Sequence, residues 1–110
     1  MTEKGATIGH TAIKVKDMIG MIKVLEELLG FHVTRKKGDG AIPAGVWFEE
    51  GLQLVHDPDF VGPEGRLHHL GIIVPDRDAM VQECKRRGLS EVRPTWYALP
   101  EGVVLEFVDK

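Results

Sequence analysis

Along the chain, apolar and polar positions change from one period to another, and the change happens twice. Near residues 7–15 the sides alternate: Thr11, Ile13 and Val15 share one, His10, Ala12 and Lys14 the other. That is the period of a strand. A helical stretch near 18–29 follows, where Met18, Ile19, Met21, Ile22, Leu25, Leu28 and Leu29 form a broad apolar face. Asp17 stands where it can cap the first turn, and Gly30 where a left-handed residue can close the last. Strand-like runs near 31–36, 45–49 and 51–56 come next, divided by Gly38-Asp39-Gly40 and Glu50-Gly51.

The same order then returns. His69-Leu-Gly-Ile-Ile-Val-Pro-Asp76 resembles His10-Thr-Ala-Ile-Lys-Val-Lys-Asp17 at an offset of 59 residues. A helix near 77–87 lies between Asp76 and Gly88, with a weaker apolar face that starts at Met80 and Cys84. Strands near 90–93, 95–98 and 102–108 complete the second copy. Leu105-Glu106-Phe107 repeats Leu52-Gln53-Leu54 at an offset of 53, so this copy is about six residues shorter (59 minus 53). The pattern predicts an α+β fold of two tandem βαβββ modules, about 7–57 and 67–110. The Pro-, Gly- and Asp-rich stretch 58–66 reads as their linker. A module of about 50 residues buries too little surface to stand alone. One domain over residues 1–110 is therefore expected, its sheets joined around one core.

The repeat also places polar residues. The more apolar side of each first strand should cover its helix, which turns His10 and His69 to the opposite face, beside small Ala12 and Gly71. In the last strands, Leu52, Leu54, Leu105 and Phe107 face the helices, and Gln53 and Glu106 face away. Each module thus aims two metal-competent side chains at the side its helix does not cover. Two imidazoles, an amide oxygen and a carboxylate suit a divalent ion of borderline hardness. With one carboxylate the centre keeps a charge of about +1, which attracts an oxyanion.

Composition narrows the function classes. The 110 residues carry 14 Lys and Arg against 17 Asp and Glu, a net charge of −3, with no basic stripe for nucleic acid. The one basic run, Arg35-Lys36-Lys37, reads as a solvated strand end. The single cysteine, Cys84, makes no internal disulfide and falls in a helical pattern, as a small buried thiol would. No apolar run approaches the ~20 residues of a membrane span and no leader-like segment opens the chain. A cytoplasmic protein without membrane or nucleic-acid partners is expected.

Gly9-His10 through Val15 with Asp17, Leu29-Gly30-Phe31, Leu52-Gln53-Leu54, His68-His69 through Val74 with Asp76, and Gly102 through Glu106 together resemble the vicinal oxygen chelate superfamily. This family is also called the glyoxalase/bleomycin resistance/dioxygenase superfamily. The resemblance covers nearly the whole chain and implies a U-shaped mixed sheet around a concave metal site. It implies a divalent metal (Zn, Ni, Co or Mn) held by His10, Gln53, His69 and Glu106, and a small-molecule substrate that chelates through adjacent oxygens. It also implies a homodimer. The ligand order His, Gln, His, Glu is similar to that of methylmalonyl-CoA epimerases. Val24-Leu25 stands where the family usually has an aromatic pair.

The resulting expectation is a metal-dependent lyase or isomerase. It would transfer a proton alpha to a carbonyl through a metal-stabilised enediolate, in the manner of lactoylglutathione lyase or methylmalonyl-CoA epimerase. Glu106 is the first candidate for the base and Glu49 the second. Trp47, Trp96 and Tyr97 are candidates to line the substrate pocket, and Arg35 and Arg93 to hold an anionic group. A non-catalytic binding module of the bleomycin-resistance type and a two-His, one-carboxylate dioxygenase using His10, His69 and Glu106 are the alternatives.

Overall fold

The computed structural model describes residues 5–62 and 64–109. Its elements run β1 (Thr7–Val15), α1 (Met18–Leu29), β2 (Val33–Lys37), β3 (Gly45–Phe48), β4 (Leu52–His56), β5 (Leu67–Val74), α2 (Arg77–Arg86), β6 (Ser90–Arg93), β7 (Trp96–Ala98) and β8 (Val104–Asp109). The order is βαβββ twice, an α+β architecture with mixed strand pairing, as the repeat predicts.

The helices begin and end for the reasons visible in the sequence. Asp17 accepts from the Gly20 backbone N–H at 3.0 Å, and Asp76 from that of Ala79 at 3.0 Å. Gly30 closes α1 with φ 71° and donates to the Glu26 carbonyl at 3.0 Å. The next amide, Phe31, reaches the Leu25 carbonyl at 3.2 Å. That closure uses the residues that pattern alone gives to the following strand, so β2 starts at Val33. Likewise Pro100–Gly102 forms a 3-10 turn, and β8 starts at Val104.

The chain folds as two compact units whose boundaries cut through β1 and β5: one is Thr11–His68, the other the residues up to His10 together with those from His69 on. In Thr11–His68 the strands lie in the order β2-β3-β4-β1. β1 and β4 are parallel, with Ala12 opposite Gln53 and Ile13 opposite Leu54. The other pairs are antiparallel. Val15, Met18, Val46, Phe48 and Leu54 form the buried core, and Ile13, Met21, Ile22 and Leu25 pack on it. The side of β1 and β4 assigned to the helix by parity is therefore the side that packs there.

The other unit repeats this plan with the order β5-β8-β7-β6. β5 and β8 are parallel, with Gly71 opposite Glu106 and Ile72 opposite Phe107. Its core is Val74, Cys84, Tyr97 and Phe107, joined by Ile72, Met80 and Leu105. Cys84 is buried, as expected. The stretch of β1 up to His10 belongs here, with Gly9 against the Ile73 side chain. No helix among the described residues is long and apolar enough to cross a membrane.

Both outer strands are irregular in the same way. In β2 the pairing slips between Val33 and Arg35, and in β6 between Glu91 and Arg93. Alternation alone would put Val33 and Arg35 on one face, and Glu91 and Arg93 on one face. The extra residue of a bulge breaks that parity. Val33 packs on the core, whereas Arg35 sits across from Trp47 on the face of Gln53.

Candidate metal centre

Three of the four expected donors belong to the unit formed by His10 and the residues from His69 on. His10 comes from β1, His69 from β5 and Glu106 from β8. Gly71 lies opposite Glu106, and the His10 ring lies over Gly71. A Cβ on Gly71 would come within 2.2 Å of His10 Cε1 and 2.6 Å of Nε2. Only a hydrogen at this position leaves room for the ring.

The three donor atoms converge. His10 Nε2 and His69 Nε2 are 3.1 Å apart, and Glu106 Oε1 lies 3.3 Å from the first and 3.2 Å from the second. The imidazole planes are nearly perpendicular, at 89°. His69 is buried at 2% exposure, while the Glu106 side chain keeps 27%. The cluster is sheltered at one end and reachable at the other.

The donor set fits a divalent ion. Ligand atoms about 2.1 Å from one ion, at octahedral or tetrahedral angles, stand about 3.0–3.4 Å from each other. The three observed separations fall in that range. Each of the three atoms can offer a lone pair to one ion, the imidazoles in the tautomer that leaves Nε2 unprotonated. The hydrogen bonds from His10 and His69 hold the Glu106 carboxyl down to about 2, against burial, which pushes it up. Glu106 is therefore ionised throughout the ordinary pH range. With both imidazoles beside it, it is a weak proton acceptor.

No protein-family model matches this chain, and no curated protein matches it. Solved structures do. The chain superposes on methylmalonyl-CoA epimerase from Mycobacterium tuberculosis with a TM-score of 0.71 and 20% identity, over 93% of this chain and 86% of that one. On a methylmalonyl-CoA epimerase in complex with methylmalonyl-CoA and an ammonium ion, the TM-score is 0.73 at 16% identity, over 97% and 96%. On the 2,3-dioxygenase LapB from Pseudomonas sp. KL28 it is 0.70 at 16% identity, over 94% of this chain and 42% of the dioxygenase. The chain thus spans less than half of that dioxygenase's length.

The chain has the vicinal oxygen chelate fold. At these identities the likeness establishes the fold and leaves the reaction to the site.

In this vicinal oxygen chelate fold the remaining candidates separate into two faces. Trp96 lies opposite Glu106, and its ring is 4.3 Å from the His69 ring. The Arg93 guanidinium lies over Trp96 at 4.9 Å. Tyr97 points the other way, into the core at 1% exposure, with its hydroxyl donating to Glu91 at 3.0 Å. Burial and the Glu91 carboxylate push the Tyr97 hydroxyl upward.

The Thr11–His68 unit holds the counterparts. Arg35 stacks over Trp47 at 4.4 Å, and Trp47 lies opposite Gln53. Gln53 is buried at 6% exposure, and its Oε1 has no hydrogen-bond partner among the described residues. Leaving a buried amide oxygen unpaired costs about 1–3 kcal/mol, so this oxygen is free to serve a ligand. Glu49 lies in the turn after β3, exposed and 3.8 Å from His32; Glu50 binds the same imidazole at 2.9 Å.

Sequence reasoning missed the bulges, which aim both arginines at the tryptophans. Strand alternation carries no signal for them, since a bulge depends on what the neighbouring strand offers.

Proposed function

We propose that the protein is a divalent-metal-dependent lyase or isomerase that moves a proton next to a carbonyl group, as lactoylglutathione lyases and methylmalonyl-CoA epimerases do. The convergence of His10, His69 and Glu106 to 3.1–3.3 Å carries the reading. A bound ion would supply the positive charge that polarises a carbonyl oxygen. His10 and His69 offer neutral nitrogen lone pairs, and Glu106 offers its carboxylate. The buried His69 and the Trp96 ring exclude water from one side of the cluster. Glu106 is the group placed to take up a proton, at Oε1, and it regains basicity as it separates from the imidazoles.

Protein purified without added metal should carry a stoichiometric divalent ion by elemental analysis, and His69→Ala should lose it. The loaded protein should exchange the alpha proton of methylmalonyl-CoA, or of the methylglyoxal–glutathione adduct, with deuterated water. Absence of a bound ion refutes the metal reading. An ion without exchange on either compound excludes these two substrates.

A second reading draws on the same donors. Two histidines and one carboxylate also form the ferrous set of oxygenases, and a dioxygenase is among the structures that share this fold. Oxygen uptake by the iron-loaded protein with a catechol separates it from the first reading.

A further inference from the structure

We propose that Arg93, stacked on Trp96, is the receptor for a carboxylate of the substrate. The substrate class is then a carbonyl compound with two adjacent oxygens at the metal centre and a second, separate carboxylate a few carbons away. This rests on the metal reading above and specifies its substrate.

The backbone makes the first part of the case. Glu91 and Arg93 are two residues apart on β6, so a regular strand would set them side by side on one face, where they would neutralise each other. The bulge between them prevents it. Glu91 stays opposite Tyr97 and accepts from its hydroxyl, while Arg93 comes opposite Trp96. The connection from Arg93 to Trp96 is only Pro94-Thr95, and Thr95 takes φ 68°, a left-handed conformation unfavourable for a β-branched residue. Two irregular features in five residues put a cation on the Glu106 face.

The side-chain geometry makes the second part. Trp96 touches His69 on one side and carries the Arg93 guanidinium at 4.9 Å. The guanidinium carbon is then at most 9.2 Å from the His69 ring centre (4.9 plus 4.3). A guanidinium held over a ring keeps its charge there, and its N–H fork can serve a carboxylate with two hydrogen bonds at once. No carboxylate among the described residues forms an ion pair with Arg93. Glu91 and Glu83, the acidic groups nearest in sequence on β6 and α2, are engaged by Tyr97 and by Arg86 and Arg87 respectively.

Two probes isolate the charge. 2-Oxoglutarate and 2-oxopentanoate present the same pair of adjacent oxygens, and only the first carries a distal carboxylate. Binding of each to zinc-loaded protein is measured by calorimetry, with zinc stoichiometry and thermal melting recorded for every variant. The wild type should bind 2-oxoglutarate more tightly, and Arg93→Ala should erase about tenfold of that preference. Its affinity for 2-oxopentanoate, its zinc content and its melting should be unchanged. Arg93→Lys should keep part of the preference, and Lys85→Ala, which removes a charge on α2, all of it. Equal binding of the two probes to zinc-loaded wild type overturns the inference and leaves the metal reading intact. So does an Arg93→Ala variant that weakens both alike or neither. A wild type that takes up no zinc overturns both readings.

Discussion

Replacing Gly71 by alanine should abolish tight metal binding while leaving the fold in place. The added Cβ would lie 2.2 Å from His10 Cε1, 2.4 Å from Nδ1 and 2.6 Å from Nε2. Ordinary contacts need about 3.5–4.0 Å, so the ring must retreat by about 1 Å or more. Metal–ligand distances tolerate about 0.2 Å, and that retreat takes the nitrogen out of the set. Disturbing the support of a single ligand costs about 10–100-fold in affinity, and displacing the ligand should cost at least that. The fold should tolerate the change. His10 keeps 15% exposure and has room to swing outward. Alanine in a strand is also favoured over glycine by about 0.5–1 kcal/mol. Zinc calorimetry and thermal melts of wild type, Gly71→Ala, His10→Ala and the double variant form the assay. Both substitutions remove the same donor, so the double variant should lose no more than either alone. Gly71→Ala with wild-type affinity, or losses that add in the double variant, would refute the reasoning.

Three further outcomes follow from the same structure. Thr95→Gly removes a left-handed β-branched residue (φ 68°) and should stabilise the protein by about 0.5–1 kcal/mol in urea unfolding, net of glycine's unfolded-state entropy; lower stability would show that the Thr95 side chain contributes more than its backbone costs. Glu50 raises His32, chiefly through their hydrogen bond, and His32 lowers Glu50. The raised imidazole stabilises fully below its ordinary 6.5 and loses this as pH rises through the folded value. The lowered carboxyl stabilises above its ordinary 4.5 and loses this in acid. The destabilisation caused by His32→Ala should therefore be larger at pH 5.5 than at pH 8.5, small and salt-sensitive because the pair is exposed; an effect that does not shrink at pH 8.5 contradicts the pairing. Gln53→Leu removes a buried unpartnered amide oxygen and should leave the protein at least as stable in urea unfolding; a clear loss of stability would show that the amide makes contacts worth more than its unpaired oxygen costs.

The fold was legible because the chain states it twice. A single His-x-Ala-x-Lys alternation is common, but its return at His69, followed by the same helix caps and by Leu-Glu-Phe in place of Leu-Gln-Leu, leaves few alternatives. Strand parity then suffices to separate Leu54 and Phe107, which reach the cores, from His10, His69 and Glu106, which do not. Parity fails where the backbone departs from a regular strand. It gave no means to see that Val92 and Thr34 lie at slips in pairing, because a bulge depends on what the neighbouring strand offers. Residue type alone also makes Tyr97 a pocket candidate beside Trp47, although adjacent Trp96 and Tyr97 must face opposite ways. The close approach of His10 to Gly71 was invisible as well, since it joins strands 59 residues apart whose register no local pattern fixes.

The two copies are not interchangeable. Register aligns Arg35, Trp47, Gln53 and Ala12 in one unit, and Arg93, Trp96, Glu106 and Gly71 in the other. The arginine–tryptophan stack is kept in both, and the two remaining positions differ. The change from Ala12 to Gly71 opens the space that the His10 ring fills. The change from Gln53 to Glu106 supplies the only carboxylate in the two rows. A divalent ion with one carboxylate keeps a charge of about +1, whereas a second would bring it to zero and weaken its hold on an oxyanion. On this argument Glu106→Gln, which raises that charge to about +2, should bind zinc less tightly yet, once loaded, hold 2-oxoglutarate more tightly, because losing the negative charge weakens one attraction and strengthens the other. Zinc and 2-oxoglutarate affinities that fall together would show that net charge at the centre does not select the ligand.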